Sequence, residues 1–215
     1  MDDGVVIGDR FPNMPSTDGI WYGANTKSFG DFSTVRLGND AFAGMTNSTS
    51  LGYEATAKGL QCTMIGAFSG TLQDSMTPGS NVTCIGGNAQ PSISTVSDEV
   101  TIGDVNVTAV RSFGVWTHLS DMRDKKDIVP MDDRTLKLVE ALTPVNFMWN
   151  MRDLNMSGQV KRDVEDSGFI AQEVKESLNK IGLKIPGLVY EANPERIELS
   201  YEKLIPILVG AIKVL

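Results

Sequence analysis

A short apolar–glycine pair recurs along the first half of the chain. Successive glycines of these pairs lie 15, 15, 14, 14, 20 and 17 residues apart. The residue two places before each apolar member is β-branched, and the residue between them varies. This alternation is typical of β-strands, with glycine where the chain turns. The seven pairs are Ile7-Gly8, Tyr22-Gly23, Leu37-Gly38, Leu51-Gly52, Ile65-Gly66, Ile85-Gly86 and Ile102-Gly103.

A period this short predicts a coiled β architecture, in which each unit buries its face by stacking on the next. We expect the β-branched and apolar columns to face inward. Two inward residues per rung bury little surface in one chain, so an oligomer around a threefold axis is expected, as a trimeric β-helix or β-roll. An ordinary β-sandwich with glycine turns is the alternative.

The pattern changes after residue 119. Apolar residues at helical spacing predict a helix that begins at Asp132 or Asp133 and runs to about Leu142, before Pro144. The next segments predict a strand at residues 145–149 and a polar hairpin tip or loop at 150–166. Residues 168–182 predict a short strand that leads into a helix, and 188–190 and 196–199 predict two further short strands.

The C-terminal stretch predicts a coiled-coil helix with Ser200 as its N-cap. The predicted seam has spacings of 3, 4, 3 and 4 residues and consists of Tyr201, Leu204, Leu208, Ala211 and Leu215. Pro206 requires that the helix begins late or bends. Two heptads are marginal alone, so partner chains or a continuation past Leu215 are expected. The predicted fold class is mixed: a β-rich repeat region (residues 1–119), then an α+β trimerisation domain ending in a coiled-coil helix (residues 120–215).

Composition supports this division. Residues 1–119 contain 5 Lys/Arg, 11 Asp/Glu and 16 of the 21 glycines, whereas residues 120–215 contain 14 Lys/Arg and 16 Asp/Glu. The net charge of −8 argues against a nucleic-acid-binding surface. The chain has no cysteine–histidine cluster to bind a metal, and no cofactor is expected. Cys62 and Cys84 could face each other on neighbouring rungs, but two free thiols are expected in a protein assembled in the cytoplasm. Neither a membrane helix nor a signal peptide is indicated.

Part of the repeat region carries two half-motifs, residues 47–52 (NSTSLG) and 55–59 (ATAKG). Over residues 39–67 the chain resembles the head repeats of trimeric autotransporter adhesins, and similar repeats occur in bacteriophage tail fibres. Inserts at 71–79 and 90–97 break the period and are expected to project as loops. Loops on a rigid scaffold are common places for receptor contacts.

Five segments in the second half occur in a characteristic order. They are Ser120-Asp121-Met122-Arg123 with Lys125, Ala141-Leu142 before Pro144, Phe147-Met148-Trp149, residues 168–174 (GFIAQEV), and Leu199-Ser200-Tyr201 followed by residues 204–206 and 211–213. With these segments, residues 120–213 resemble the C-terminal intramolecular chaperone domain of phage tail fibres, endosialidase tailspikes and neck appendage proteins. That domain also occurs in myelin-regulatory-factor-type proteins.

The resemblance implies a domain that trimerises, guides assembly of the β-rich fibre before it and then releases itself by autoproteolysis. It places the cut at the Leu119–Ser120 bond and the catalytic serine–lysine dyad at Ser120 and Lys125. In this chain Asp124 stands where the family often has an apolar residue. A carboxylate beside the lysine is expected to keep it protonated and to slow the reaction.

The chemistry requires a serine that loses its proton. A lysine acts as the base where burial lowers its pKa towards neutrality, so burial of Lys125 in an assembled trimer would time the cleavage. His118, the one histidine, lies awkwardly close in sequence for a Ser-His-Asp triad and is interpreted as an exposed bystander. Asp121 and Arg123 are expected to brace the turn or to provide an oxyanion contact.

Gln172 and Glu173 are expected to be brought near the dyad by the fold, although Glu173 fits a lysine pair on a solvated helix face equally well. The predicted function is a self-cleaving assembly chaperone on a phage fibre, assembled in the host cytoplasm and located in the virion tail. The β-repeat part would bind a host receptor or glycan. The alternative is a receptor-binding adhesin shaft whose trimeriser never cuts. The lack of a basic DNA-binding domain and a membrane helix disfavours a regulatory factor.

Overall fold

The computed structural model describes residues 5–7, 19–22, 34–70, 78–153 and 160–215. The chain divides into two compact units. The first consists of Met1–Val107 with Asp153–Val160, and the second of Thr108–Arg152 with Lys161–Leu215.

The first unit is a β-solenoid. Its main sheet is parallel and contains, in spatial order, β1 (Val5–Ile7), β2 (Gly19–Tyr22), β3 (Thr34–Leu37), β5 (Thr49–Leu51), β7 (Thr63–Ile65), β8 (Val82–Ile85) and β9 (Glu99–Ile102). A second parallel pair joins β4 (Phe42–Ala43) to β6 (Thr56–Ala57). The repeat pairs stack in register, as Leu51 does with Ile65. The coiled β architecture is therefore confirmed, and the β-sandwich alternative is wrong.

The prediction of which column faces inward is wrong. The variable residue is buried in β3, β5, β7 and β8, as Ser50 and Met64 are, whereas Ile65 is 37 % and Ile85 40 % exposed. The reason is the narrow interior: the Ser50 hydroxyl donates a hydrogen bond of 2.6 Å to the carbonyl of Phe42 on the opposite wall. Small residues therefore occupy most of the interior, among them Ala43, Ala55, Ala57, Cys62, Cys84 and Ala89.

Both cysteines lie in this interior and neither forms a disulfide, as the sequence predicts. Burial raises the pKa of the Cys84 thiol to about 12, with smaller contributions from the charge of Glu99 and from Cys62. The thiolate is the reactive form of cysteine, so Cys84 is an inert core residue at neutral pH.

Glycine is required at the turns for two reasons. Gly52 and Gly66 have φ values of +137° and +127°, a region that side chains rarely adopt. A Cβ at Gly66 would also lie 2.4 Å from the carbonyl oxygen of Gly86 on the next rung. The backbone of one rung therefore packs directly against the glycine of its neighbour.

Each half-turn has a corner residue in the left-handed conformation, with φ between +53° and +60°. These corners follow each other at seven-residue intervals in the regular part of the solenoid: Asp40, Asn47, Glu54, Gln61 and Phe68. Asp and Asn adopt this conformation readily, whereas Glu, Gln and Phe do not. The corners were therefore not evident from residue types.

The sequence predicts that both inserts project as loops. Most of the first insert, residues 71–77, lies outside the described residues. The second, residues 90–97, does not project freely, because Pro91 and Ser92 are buried. The Glu99 carboxylate accepts hydrogen bonds of 2.6 Å from both the backbone N–H and the hydroxyl of Ser92, and Val96 packs against the core.

The second unit combines three helices with two small antiparallel sheets. The helices are α1 (Arg134–Ala141), α2 (Ala171–Ile181) and α3 (Leu204–Ile212), and the sheets pair β10 (Val145–Asn150) with β11 (Arg162–Gly168), and β12 (Val189–Tyr190) with β13 (Glu198–Leu199). Its core contains Leu138, Val174, Leu178, Leu188 and Ile207. The predicted order is confirmed, but part of the predicted loop 150–166 is strand. All of β11 except Gly168 is exposed, so no alternation marks it.

Two details of the C-terminal helix are corrected. The Ser200 side chain makes no capping hydrogen bond, and a 3₁₀ helix (Tyr201–Lys203) precedes α3. The helix begins late, so Pro206 lies in its first turn. Backbone N–H groups of the first turn have no partner within the helix, so a proline, which has no N–H, is tolerated there. Leu204 and Ala211 pack within the unit's own core, whereas Leu208 is exposed, so the predicted seam does not lie on one face.

The glycine packing generates a prediction for the stability of the solenoid. Replacing Gly66 with Ala should destabilise it by about 2 kcal/mol or more, because the new Cβ meets the Gly86 backbone and the φ value is strained. Gly87→Ala is the matched control, since its Cβ would find only the Ala67 carbonyl oxygen, at 3.9 Å. Thermal unfolding measures both, and equal melting temperatures for the two variants would contradict the packing.

Candidate active site

Residues 108–131 form an extended segment of the second unit. Of these residues, the structure places only Met122–Asp124 in a helix or strand, as one turn of 3₁₀ helix. Large apolar side chains along the segment are exposed in the single chain: Val110, Phe113, Val115, Trp116, Leu119, Met122, Ile128, Val129 and Met131. Their own chain therefore leaves this hydrophobic surface in contact with water.

The turn after Ser120 is set by the residues that follow it. Asp121 is the N-cap of the 3₁₀ helix, and its Oδ1 accepts a 2.8 Å hydrogen bond from the Arg123 N–H. The N–H of Lys125 then donates to the Met122 carbonyl at 3.1 Å and ends the turn. An aspartate at this position is a strong N-cap, so the sequence favours a local reversal immediately after the serine.

This reversal brings the predicted dyad together. The Lys125 Nζ lies 2.7 Å from the Ser120 Oγ and 3.1 Å from the Ser120 carbonyl oxygen. Both residues are exposed. A protonated lysine donates to the hydroxyl at this distance, and a neutral amine would accept the hydroxyl proton along the same line.

Arg123 braces the turn through Asp121. Its Nε lies 3.0 Å from Oδ1 and its Nη2 2.6 Å from Oδ2 of that carboxylate. These side-chain bonds, followed by the Arg123 backbone N–H, hold the pKa of the Asp121 carboxyl below its usual range. The stabilisation of the turn is therefore present above the ordinary carboxyl pKa and is lost as the pH falls through the lowered value.

Asp124 does not pair with the lysine. Its backbone N–H donates to the Asp121 carbonyl at 3.2 Å, and within the described ranges its carboxylate forms no ion pair with Lys125. The expected slowing by Asp124 thus has no direct contact to act through in the single chain.

His118 has a partner that the sequence did not indicate. Its Nε2 lies 3.2 Å from Glu202 Oε2, with both side chains exposed. Glu202 belongs to the 3₁₀ helix Tyr201–Lys203, which precedes α3. No local pattern could have identified this pair, since the two residues are 84 positions apart.

Gln172 and Glu173 lie in the first turn of α2, and both are exposed. Among the described residues, no hydrogen bond or ion pair joins either side chain to Ser120 or Lys125. Glu173 instead borders a small pocket between the end of α1 and the start of α2, with Ala141, Leu142, Thr143, Phe169, Ile170 and Val174.

Two of the sequence motifs meet at Tyr201. Its hydroxyl accepts a 3.1 Å hydrogen bond from the Phe169 N–H, and the two rings stack with centroids 6.1 Å apart. A Cβ at Gly168 would lie 2.3 Å from the Tyr201 hydroxyl oxygen. Glycine at 168 therefore admits the tyrosine that anchors the start of the C-terminal helix.

A family model described as the chaperone of endosialidase matches residues 120–183. This match supports an intramolecular chaperone domain in the C-terminal part of the chain. The match begins at Ser120 and includes Lys125, both helices α1 and α2, and the hairpin between them. A comparison with curated proteins gave no match.

The family of this chaperone domain is associated with self-cleaving serine peptidase activity. Together with the β-solenoid, the domain fits a phage tail-fibre-like protein. Of its sequence motifs, only the segment from Ser120 to Lys125 contains the dyad. The motifs around Phe147, Gly168 and Tyr201 form packing contacts, as the edge-on contact of Phe147 with Trp149 illustrates.

In the part of the chain that the structure describes, no group of three or more His, Cys, Asp or Glu side chains could hold a metal ion. The helices in the same ranges are too short or too polar to cross a membrane.

The contact at Tyr201 gives a prediction for the chaperone domain. Gly168→Ala should destabilise it by about 1 to 3 kcal/mol, because the added methyl group displaces the Tyr201 hydroxyl from the Phe169 N–H. Gly114→Ala is the matched control, since its Cβ would approach only Ser112 Oγ, at 3.9 Å. Chemical denaturation followed by tryptophan fluorescence measures both variants, and a Gly168→Ala domain as stable as wild type would exclude this packing role.

Proposed function

We propose that this chain is the distal part of a trimeric phage tail fibre or tailspike. Its C-terminal chaperone domain, residues 120–215, drives assembly of three chains and then cuts itself from residues 1–119 at the Leu119–Ser120 bond. The observation that carries this proposal is the 2.7 Å distance between Lys125 Nζ and Ser120 Oγ. Assembly takes place in the host cytoplasm, and the released fibre is located in the virion tail.

The position of the serine determines the chemistry. Ser120 supplies the amide nitrogen of the bond that is cut, so its Oγ reaches the Leu119 carbonyl carbon through a five-membered ring. The C–O bond forms and the C–N bond breaks, which leaves an ester between Leu119 and Ser120. Lys125 takes the hydroxyl proton and returns it to the freed amine of Ser120. Water then hydrolyses the ester to a Leu119 carboxylate and the serine hydroxyl.

Burial supplies the timing of this reaction. In the single chain Ser120 and Lys125 are exposed, and water stabilises the ammonium form. Leu119 and Met122, 84 % and 73 % exposed, flank the dyad with apolar surface that assembly would cover. The same event that buries these side chains would desolvate Lys125 and favour the neutral amine. Cleavage would then follow correct assembly.

The solenoid offers one surface for assembly. The apolar residues that face outward lie in register along the main sheet, one per rung: Leu37, Leu51, Ile65, Ile85 and Ile102. Full burial of a Leu or Ile side chain contributes about 1.5 to 3 kcal/mol. In an assembly of three chains, the column of one chain would pack against the same column of the other two.

Helix α3 offers another surface, in a different register from the one predicted from sequence. Four exposed apolar residues of this helix and the chain just after it have spacings of 3, 4 and 3: Ile205, Leu208, Ile212 and Leu215. Val209 and Val214 are exposed beside them. Ile207 and Ala211 are buried in the domain's own core. The stripe from Ile205 to Leu215 therefore has the spacing of a coiled-coil seam, and it would pack against the same stripe of its partners.

The solenoid would supply the contact with a host-surface receptor or glycan. The alternative is a receptor-binding adhesin shaft whose C-terminal domain trimerises without cutting. Exposure of Ser120 and Lys125 favours it, because the proposed cleavage requires Lys125 to be desolvated. The two proposals differ in whether the Leu119–Ser120 bond survives in the assembled protein.

Self-cleavage gives the first prediction. The purified wild type should yield fragments of residues 1–119 and 120–215, and Ser120→Ala should abolish them. Lys125→Met should slow cleavage by about 10²- to 10⁴-fold, the usual contribution of a general base. Lys126→Met, the neighbouring exposed lysine, is the control and should cleave normally. Mass spectrometry gives the cut position, and an intact wild-type trimer would favour the non-cleaving shaft.

Assembly gives a second prediction, made in the Ser120→Ala chain so that it stays whole. Ile212→Glu should convert trimers to monomers, because a charge on the α3 stripe would be buried between helices. Lys213→Gln changes the net charge by the same amount next to the stripe and should leave the trimer intact. Analytical ultracentrifugation measures the mass of each. Trimeric Ile212→Glu protein would place the interface elsewhere.

A further inference from the structure

The Leu119–Ser120 bond lies between two contacts that hold the chain on either side of it. On the N-terminal side, His118 Nε2 lies 3.2 Å from Glu202 Oε2. On the C-terminal side, Lys125 Nζ lies 3.1 Å from the Ser120 carbonyl oxygen. The Leu119 side chain between them is 84 % exposed. The two contacts come from different elements. Together they hold His118, which precedes the dipeptide that would react, and Ser120, its second residue.

We infer that Glu202 is a positioning residue for self-cleavage, acting through His118. This inference rests on the proposed function. Attack by Ser120 Oγ requires the Leu119 carbonyl to face the hydroxyl, and the orientation of that carbonyl depends on the backbone that precedes it. Holding His118 restricts that backbone before the reaction, so less freedom is lost on reaching the attacking geometry. Glu202 touches neither Ser120 nor the reacting carbonyl, so its role is positional.

Glu202 is itself exposed, but it lies between two residues that pack on the folded chaperone domain. Glu202 follows Tyr201, whose hydroxyl binds the Phe169 N–H, and Leu204 packs in the core two residues later. The carboxylate is therefore in place only when the start of α3 has docked. The His118 contact links the geometry of the bond to correct folding of the domain.

Cleavage rates of single and double variants test the inference. Glu202→Gln and His118→Gln should each slow fragment formation by about two- to fivefold, the range expected for an exposed ion pair. The double variant should be no slower than either single variant, because both remove the same contact. Glu176→Gln removes an exposed ion pair with Lys180 on α2 and should cleave at the wild-type rate. Melting temperatures and trimer content are measured in parallel.

A conservative variant separates positioning from a structural role. His118→Lys places a cation opposite Glu202 and should restore most of the rate, but only while Glu202 is present. Fragment formation by the His118→Lys single variant and by the His118→Lys/Glu202→Gln double variant measures this dependence.

The outcomes distinguish this inference from the proposed function. A wild type that cleaves, with single variants at the wild-type rate or a double variant slowed by the product of the two factors, overturns the inference alone. A wild type that never cleaves overturns both. Slow variants that also unfold or fail to trimerise, without rescue by His118→Lys, show a structural role and likewise overturn it.

Discussion

The narrow interior of the solenoid is the constraint on which the rest of the structure depends. The Ser50 hydroxyl reaches the Phe42 carbonyl of the opposite wall at 2.6 Å, so the space between the walls admits few large side chains. Alanine, serine and cysteine therefore fill most of the inside, and the larger Leu and Ile residues face outward. Small interior residues bury little hydrophobic area per chain, and the outward-facing apolar column is a surface that the proposed assembly would bury.

The second unit is incomplete in a related way. Its core is formed by residues such as Leu138, Val174 and Ile207, yet one face of α3 and the extended segment 108–131 keep large apolar side chains in water. The candidate dyad lies inside that segment. Hydrophobic burial on assembly and desolvation of Lys125 would therefore be the same physical event. This coupling explains how a simple serine–lysine pair could remain silent in a single chain.

Much of the fold could be predicted from sequence because it depends on local periods. The glycine spacing predicted the solenoid, helical spacing predicted α1, and Gly182 marked the end of α2, where it adopts a φ of +67°. The dyad was predicted by resemblance, and the N-cap at Asp121 explains locally why Lys125 returns to Ser120. The strand β11 was missed because its exposed residues do not alternate, and Glu202 was missed because its partner is distant in sequence.

The sequence by itself determined the period of the coil, the positions of its glycine turns, the order of the helices and the five-residue spacing of Ser120 and Lys125. Only the tertiary structure decided which side of each strand faces inward and which stripe of α3 remains exposed. A period of two residues shows that successive side chains of a strand point to opposite faces. The short distance between the solenoid walls then decides which of the two faces is the inner one. Likewise, α3 is apolar on more than one side, so its packing in the domain core decides which stripe is left for partners.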